Sequence, residues 1–378
     1  MKKSVYIAGT SKVAYFIQDL LNSENVIFLG YVSLNQELEN QAVRGGYPLI
    51  SMNRLKSEQY DYLLFSEDTE FDKSDDRNIS LFNCMSFLSF FLSPEYYLLR
   101  KKALSDMNNE DACGIVTGMS YVQRGLIPEH LTKRLCMCAA PCQDLYYDFF
   151  SLADALRRMT QKLKYVVMGI SPYSFRYDLS LSQENSARVL YYYREFGETH
   201  NFAVTEDGIA LMERYDKVFD EICYPEWRNI VFDLFFEDSL ERNDESFSYG
   251  SGDDIRQEES LEKMRKIGNK PYPETVAENE MIFGMFLELC ARHGIKTVVL
   301  IPPFSRFFRE HFPMEYVEEA RAIIRSHHAK YEFEVLDMYD SPEFLDDKYF
   351  ADEDHLNVFG ADKLTARLDE FLSERYYE

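Results

Sequence analysis

The sequence predicts an α/β protein in which a three-layer, doubly wound parallel sheet follows a smaller α/β domain. Three observations lead to this prediction. Short apolar runs typical of buried strands recur along the chain, segments with helical apolar spacing lie between them, and a polar stretch at residues 105–112 divides the pattern in two. Strands that alternate with helices form parallel sheets, because each crossover helix packs on a sheet face. A length of 378 residues also favours two domains over one.

Composition narrows the class of protein. The formal net charge of −24 argues against nucleic acid or anionic membrane surfaces as partners, because both would repel the chain. Neutral small molecules, sugars and basic partners remain open. The longest apolar run, residues 81–99, is interrupted by Asn83, three serines and Pro94, which predicts that it does not span a membrane.

The N-terminus and the cysteines predict a location. Two lysines precede the first apolar stretch, as in a signal peptide, but that stretch is short and ends in a turn, so we interpret it as a strand. Seven cysteines in a large chain without a secretion signal favour a reduced, cytoplasmic protein. The sequence gives no indication of the oligomeric state.

Residues 1–110 are predicted to form the smaller domain. Strand-like runs lie at residues 5–9, 26–32 and 60–66, and a helix with one apolar face follows the first of them. This pattern resembles the Rossmann-like N-terminal domain attached to many bacterial sugar-modifying enzymes. We interpret residues 105–112 as the linker that follows it.

The glycine fingerprint of a dinucleotide site is incomplete in this domain. The turn after the first strand is Gly9-Thr10-Ser11, so a side chain stands where a pyrophosphate needs bare backbone. Ser33 stands where an acidic residue would hold the ribose after the second strand. We therefore predict no bound cofactor and favour a structural or docking role.

Residues 113–378 are predicted to form the larger domain. The strand-like segments are residues 113–118, 134–140, 164–171, 296–302 and 333–338, and helical spacing is found at residues 145–159, 274–293 and 315–328. Residues 173–275 do not follow this pattern and include a long polar, acidic stretch, which predicts a partly helical insertion. A cover over a site and a solvated surface excursion are both open interpretations of it.

The loops that follow the first, second, third and fifth strand-like segments carry candidate functional residues. Ser120 follows the first, Cys142 the second and Ser171 the third, and the sequence Ala-Asp-Glu-Asp-His begins at residue 351, before the last helix. Chemistry in a doubly wound sheet lies at the carboxyl ends of the strands. We therefore expect these loops to converge.

In these motifs the larger domain resembles the SGNH (GDSL-type) hydrolase superfamily, which has a flavodoxin-like sheet. The branch it most resembles is related to acyl-modifying proteins of bacterial cell-surface polysaccharides. The family's Gly-Asp-Ser block corresponds to residues 118–120, its oxyanion glycine falls near Cys142, and its Gly-x-Asn block corresponds to residues 169–171. Its Asp-x-x-His block is intact at residues 352–355.

The resemblance implies a serine esterase or acyltransferase that acts through an acyl-enzyme, on O-acyl (acetyl) groups of a carbohydrate. A serine hydroxyl needs a base, and the base needs a group that fixes its tautomer. Ser120 is the predicted nucleophile, His355 the base and Asp352 the orienting acid. The backbone N–H groups of Ser120 and Cys142 and the hydroxyl of Ser171 are the predicted oxyanion donors.

Bland alternatives exist for each of these residues. Ser120 could only cap a helix, and His355 could only pack at a helix start. Two of the family's blocks differ in this chain, with Cys142 near the position of the oxyanion glycine and Ser171 at the position of the asparagine. These differences leave open a non-catalytic protein with the same fold that binds a glycan or a protein partner. Cys136 and Cys138 point to opposite faces of a strand, so we predict structural cysteines and no metal. Asn357 is predicted to cap the last helix.

Overall fold

The chain divides into two compact units in this computed structural model. One comprises Met1–Leu98 with Ala203–Ser239, and the other comprises Leu99–Phe202 with Leu240–Glu378. The structure describes residues 2–34, 44–67, 69–72, 74–81, 94–159, 162–202, 208–210, 212–213, 234, 254–270 and 272–376. The domain bounds predicted at residues 110 and 113 stay predictions.

The first unit contains a five-stranded parallel sheet. Its elements are β1 Lys3–Ala8, α1 Lys12–Leu20, β2 Val26–Ser33, β3 Leu49–Ser51, α2 Met52–Leu55, β4 Tyr62–Phe65 and β5 Asn78–Ser80. The strand order is β3-β2-β1-β4-β5 and every pairing is parallel. This is the order of the first five strands of a Rossmann sheet.

The turn between β1 and α1 is closed by side chains. Ser11 is the N-cap of α1 and accepts a hydrogen bond from the backbone N–H of Ala14. The neighbouring N–H of Thr10 donates to Glu67 Oε1 at 3.1 Å. A carboxylate therefore holds a backbone group that a bound phosphate would need.

The second unit contains a second five-stranded parallel sheet with helices. Its strands are β6 Ala112–Thr117, β7 Arg134–Met137, β8 Tyr165–Gly169, β9 Lys296–Ile301 and β10 Glu334–Asp337. The helices are α3 Pro94–Asn108, α4 Ser120–Gly125, α5 Leu145–Arg158, α6 Val189–Phe196, α7 Asp254–Gly268, α8 Pro273–Arg292, α9 Arg306–His311, α10 Met314–His327 and α11 Val358–Tyr376. Most residues of α3 belong to the second unit, which begins at Leu99.

The second sheet has the order β10-β9-β8-β6-β7 with parallel pairings throughout. Counted within the unit this is 2-1-3-4-5, the flavodoxin-like order, with its switch point between β6 and β8. Two parallel five-stranded sheets with helices confirm the predicted α/β class. The five predicted strands of the larger domain are all present.

The strands of the second sheet are almost continuously buried, as expected when helices cover both faces. Ile115, Val116, Val167, Val298 and Leu300 are fully inaccessible. Strand β6 ends at Thr117 and β8 ends at Gly169, so the segments that carry Ser120 and Ser171 begin at this edge of the sheet.

Two predictions about irregular segments need correction. Residues 105–112 are not a linker, because they contain the last turn of α3 and the first residue of β6. The beginning of the predicted insertion is not a surface excursion, since Phe175, Leu179 and Tyr192 are buried in the core. Residues 203–207, 211, 214–233, 235–253 and 271 of that insertion lie outside the described residues.

No helix in the described part of the chain is both long enough and apolar enough to cross a membrane.

Candidate active site

Ser120 lies at the switch point of the second sheet. Strand β6 ends at Thr117, and Ser120 is the first residue of α4. Gly118 makes the turn between them with φ +131°, a value that favours glycine, and a Cβ there would meet the carbonyl oxygen of Gly169 at 2.9 Å. The turn is thus pressed against the end of β8. The N-cap of α4 is Met119 rather than Ser120, so the serine hydroxyl is not used as a cap.

His355 lies beside Ser120. Its Nε2 is 2.9 Å from Ser120 Oγ, and its Nδ1 is 3.0 Å from each carboxylate oxygen of Asp352. The ring of Tyr121 stacks on the imidazole with a centroid distance of 5.1 Å. The three predicted residues of the serine–histidine–acid arrangement are therefore brought together in hydrogen-bonding geometry.

Backbone hydrogen bonds hold the turn that carries His355. Asp352 Oδ1 accepts the N–H groups of Asp354 at 3.0 Å and His355 at 2.7 Å. Asn357 Oδ1 accepts the N–H of Gly360 at 3.0 Å, which confirms the predicted cap of α11. Phe350 and Leu356 form an antiparallel bridge that closes the base of the loop.

The structure adds Asp354, which sequence reasoning missed. This side chain is buried, and its Oδ1 lies 2.9 Å from His355 Nδ1. Its Oδ2 accepts a hydrogen bond from the hydroxyl of Tyr121 at 3.1 Å, and Lys263 Nζ of α7 donates to its Oδ1 at 2.7 Å. The sequence contained one signal, an acid adjacent to the histidine, but not its burial or its lysine partner.

The charges of this cluster raise the pKa of His355 and lower the pKa of Asp354. Burial alone would lower the pKa of His355, but Asp354 and then Asp352 raise it to about 9. Burial would raise the pKa of Asp354, but His355 and Lys263 hold it well below its usual range. The negative charge of Asp354 thus favours the protonated imidazole, and the positive charge of the imidazolium favours the ionised carboxylate.

The loop that carries Cys142 lies against the Ser120 turn. The N–H of Ala140 donates to the carbonyl oxygen of Gly118 at 3.1 Å. Cys142 has φ 60°, a left-handed conformation that side chains other than glycine rarely adopt.

Asp148, a buried acid of α5, accepts hydrogen bonds from both the turn before Ser120 and the loop that carries Cys142. Gln143 Nε2 donates to Asp148 Oδ1 at 2.6 Å, and the backbone N–H of Gly118 donates to Asp148 as well. Burial nevertheless raises the pKa of Asp148 to about 8. The hydrogen bonds fix the position of residue 143 relative to the turn before Ser120.

Ser171 bonds elsewhere. Its backbone N–H donates to Ser174 Oγ at 2.9 Å, and the two hydroxyls lie 3.0 Å apart. The structure therefore joins Ser171 to Ser174, and its predicted role as an oxyanion donor stays a prediction.

In two groups of described side chains, acidic and imidazole atoms of a type that can bind a metal lie within 4.8 Å of one another. One is the Asp352, Asp354 and His355 cluster. The other is Asp144, Asp178 and His200. Asp144 caps α5 and also accepts the N–H of Leu179 at 2.8 Å, so its burial has a structural cause.

Cys136 lies in β7, and Cys138 lies in the loop that follows this strand. Cys136 is buried in β7, and burial raises its pKa to about 12. A thiol with so high a pKa is unreactive at neutral pH, as expected for a structural cysteine.

A scan of protein-family models finds no match, and a search of the curated proteins finds none either. Among solved structures, a protein from Streptococcus pneumonia assigned as a platelet activating factor is 10% identical, covers 76% of this chain and 96% of its own, and has a TM-score of 0.40.

Two structures of Bacteroides proteins have a comparable sequence identity to this chain. A protein from Bacteroides fragilis assigned as an acylhydrolase is 9% identical, with 73% of this chain and 96% of its own covered and a TM-score of 0.35. A GDSL-like lipase from Bacteroides thetaiotaomicron is 10% identical, with 74% and 99% covered and a TM-score of 0.36.

Proposed function

We propose that the second unit is a serine ester hydrolase or acyltransferase of the SGNH type. One observation supports this most strongly: Ser120 Oγ, both ring nitrogens of His355 and the Asp352 carboxylate form a continuous chain of contacts of 2.9–3.0 Å. A nucleophile, a base and an orienting acid in this order are the arrangement that acyl transfer requires.

The first half-reaction forms an acyl-enzyme. Neutral His355 removes the proton of Ser120 through Nε2 as Oγ attacks the ester carbonyl carbon. The negative charge that develops on the carbonyl oxygen needs preorganised donors, for which the N–H groups of Ser120 and Cys142 are our candidates. One such donor is typically worth about 10²–10³ in rate. The imidazolium then gives its proton to the leaving alcohol.

The second half-reaction regenerates the serine. Water, or the hydroxyl of an acceptor, gives its proton to His355 and attacks the acyl carbon. The bond between the acyl carbon and Ser120 Oγ then breaks, and the imidazolium returns the proton to Oγ. Attack by water hydrolyses the acyl-enzyme, whereas attack by an acceptor hydroxyl transfers the acyl group to the acceptor. The carbohydrate substrate with O-acetyl groups is proposed on the basis of the family resemblance of the motifs.

A panel of p-nitrophenyl esters of increasing acyl length tests this proposal. We expect turnover that is greatest for short acyl groups and that disappears in Ser120→Ala. The assays are run at about pH 7 and about pH 9, since His355 must lose its proton to act as a base. Circular dichroism of both proteins controls for folding.

Equal rates for the two proteins would remove the enzyme proposal for simple esters. If neither protein turns over any ester or O-acetylated oligosaccharide, the non-catalytic alternative is favoured. Binding of oligosaccharides by the folded, inactive chain would then identify a glycan-binding protein.

A further inference from the structure

Two carboxylates contact the same nitrogen of His355, and they differ in environment. The side chain of Asp352 is 30% exposed, while that of Asp354 is 1% exposed. Both approach Nδ1 to about the same distance, 3.0 and 2.9 Å. A charge pair in a buried, low-dielectric position interacts more strongly than one near water. The buried acid should therefore dominate the electrostatics of the base.

The oxygens of Asp352 are also used differently. Its Oδ1 accepts two backbone N–H groups of the turn, those of Asp354 and His355. These bonds hold the loop conformation that delivers the imidazole. Asp352 thus has a structural task that Asp354 lacks.

Asp354 is surrounded by side chains rather than backbone. It contacts His355, the Tyr121 hydroxyl and the Lys263 ammonium, at 2.9, 3.1 and 2.7 Å. Tyr121 itself packs its ring on the imidazole and places its hydroxyl 2.7 Å from that of Tyr173. A buried carboxylate is tolerated when it is paired and hydrogen-bonded in this way.

Lys263 ties helix α7 to this cluster. Its ammonium lies 2.7 Å from Asp354 Oδ1 and 2.9 Å from Glu353 Oε1. Two acids adjacent in the sequence thus share one lysine.

We propose that Asp354 is the principal positioning acid for His355 and that Lys263 is its counter-ion, so that helix α7 sets the strength of the base. The proposal rests on the proposed function. Asp354 stabilises the imidazolium that forms when Ser120 attacks. Lys263 offsets part of the negative potential and keeps the imidazole from becoming too basic to lose its proton.

The charged and polar groups around the imidazole determine in which direction each substitution should shift the pKa of His355. Ser120 and Tyr121 approach it from α4, Asp352 and Asp354 from its own loop, and Lys263 lies behind Asp354 on α7. Removing a carboxylate should lower the pKa of His355, and removing the lysine should raise it.

The test measures the pKa of His355 by NMR and the pH profile of ester turnover in the full chain. Asp354→Asn is compared with its matched control Asp352→Asn, and Lys263→Met with Lys266→Met. Lys266 is on the same helix but pairs with Glu184 at the surface. His355→Gln assigns the resonance.

We expect Asp354→Asn to lower the pKa of His355 by about one unit or more, and by more than Asp352→Asn does. The acid limb of kcat/KM should move down in pH by the same amount, while its plateau falls about tenfold or more. Lys263→Met should move the pKa and the limb upward, and Lys266→Met should leave both unchanged.

The proposal is overturned if Asp354→Asn leaves the pKa of His355 in place, or if Asp352→Asn moves it further. Should Asp354→Asn fail to fold, Lys263→Met still tests the coupling, and an unchanged pKa there overturns it. The NMR titration needs no turnover. A chain without esterase activity in which Asp354 still controls His355 would sink the proposed function and leave the electrostatic assignment standing.

Discussion

Ser120 Oγ lies 2.9 Å from Nε2 of His355, although 235 positions separate the two residues in the sequence. Two features of the fold produce this contact. Strand β6 ends at the switch point and places Ser120 there, and the loop before α11 returns to the same edge. The N–H of Ile127 donates to Thr365 Oγ1 at 2.9 Å, which joins the segment after α4 to α11 and fixes the two loops relative to each other.

Residues that act as one catalytic unit give losses that do not add. We therefore expect Ser120→Ala and His355→Ala each to lose nearly as much kcat/KM as the double variant. Asp352→Asn should lose less, because Asp354 remains on the same nitrogen. Steady-state kinetics on the best ester of the panel give all four values. Losses that multiply in the double variant would show that the two residues do not act together.

Turnover should rise with pH well beyond neutrality. The base must be neutral to accept a proton, and the pKa of His355 is raised to about 9, so the active fraction increases as pH rises toward that value. Below it, kcat/KM should increase about tenfold per pH unit. A pH profile measured with an ester whose spontaneous hydrolysis is subtracted checks this. A profile that is flat between about pH 6 and pH 9 would contradict the charge arrangement described for the site.

Gly360 should be required for stability. A Cβ at this position would lie 2.1 Å from the carbonyl oxygen of Tyr349, which is backbone and cannot swing away. We expect Gly360→Ala to lower the free energy of unfolding by about 1–3 kcal/mol. Gly125→Ala is the matched control, since a Cβ there meets side chains only at 3.5 Å. Urea denaturation compares them, and equal midpoints for the two variants would count against this close approach.

The first unit should not bind NAD or NADP. Ser11 caps α1 by accepting the N–H of Ala14, and Glu67 accepts the N–H of Thr10, so two backbone donors of this turn are already used. We expect no heat above dilution in titration calorimetry with either dinucleotide. Affinity in the micromolar range would overturn this prediction.

Much of the site could be predicted because its signals are local in sequence. A glycine turn after a buried strand marks Ser120, and the spacing of Asp352 and His355 lets both side chains meet within one turn. The cap by Asn357 is a local pattern of the same kind. Each of these follows from residues a few positions apart.

The rest depends on contacts between distant segments. Nothing near Asp354 in the sequence shows that it is buried, because its burial comes from Tyr121 and from Lys263 of α7. Ser171 follows β8, and the sequence did not show that its hydroxyl would lie 3.0 Å from that of Ser174. Residues 105–112 are polar because they end a helix at the surface, a composition that a linker shares.

The central claim is that Ser120 is a nucleophile activated by His355, and covalent labelling with an alkyl fluorophosphonate tests it most directly. Intact-protein mass spectrometry at about pH 9, followed by peptide mapping, should show a single adduct on Ser120. The adduct should be absent in Ser120→Ala and form far more slowly in His355→Ala. An unlabelled wild-type chain, or equal labelling of Ser120→Ala, would contradict the claim.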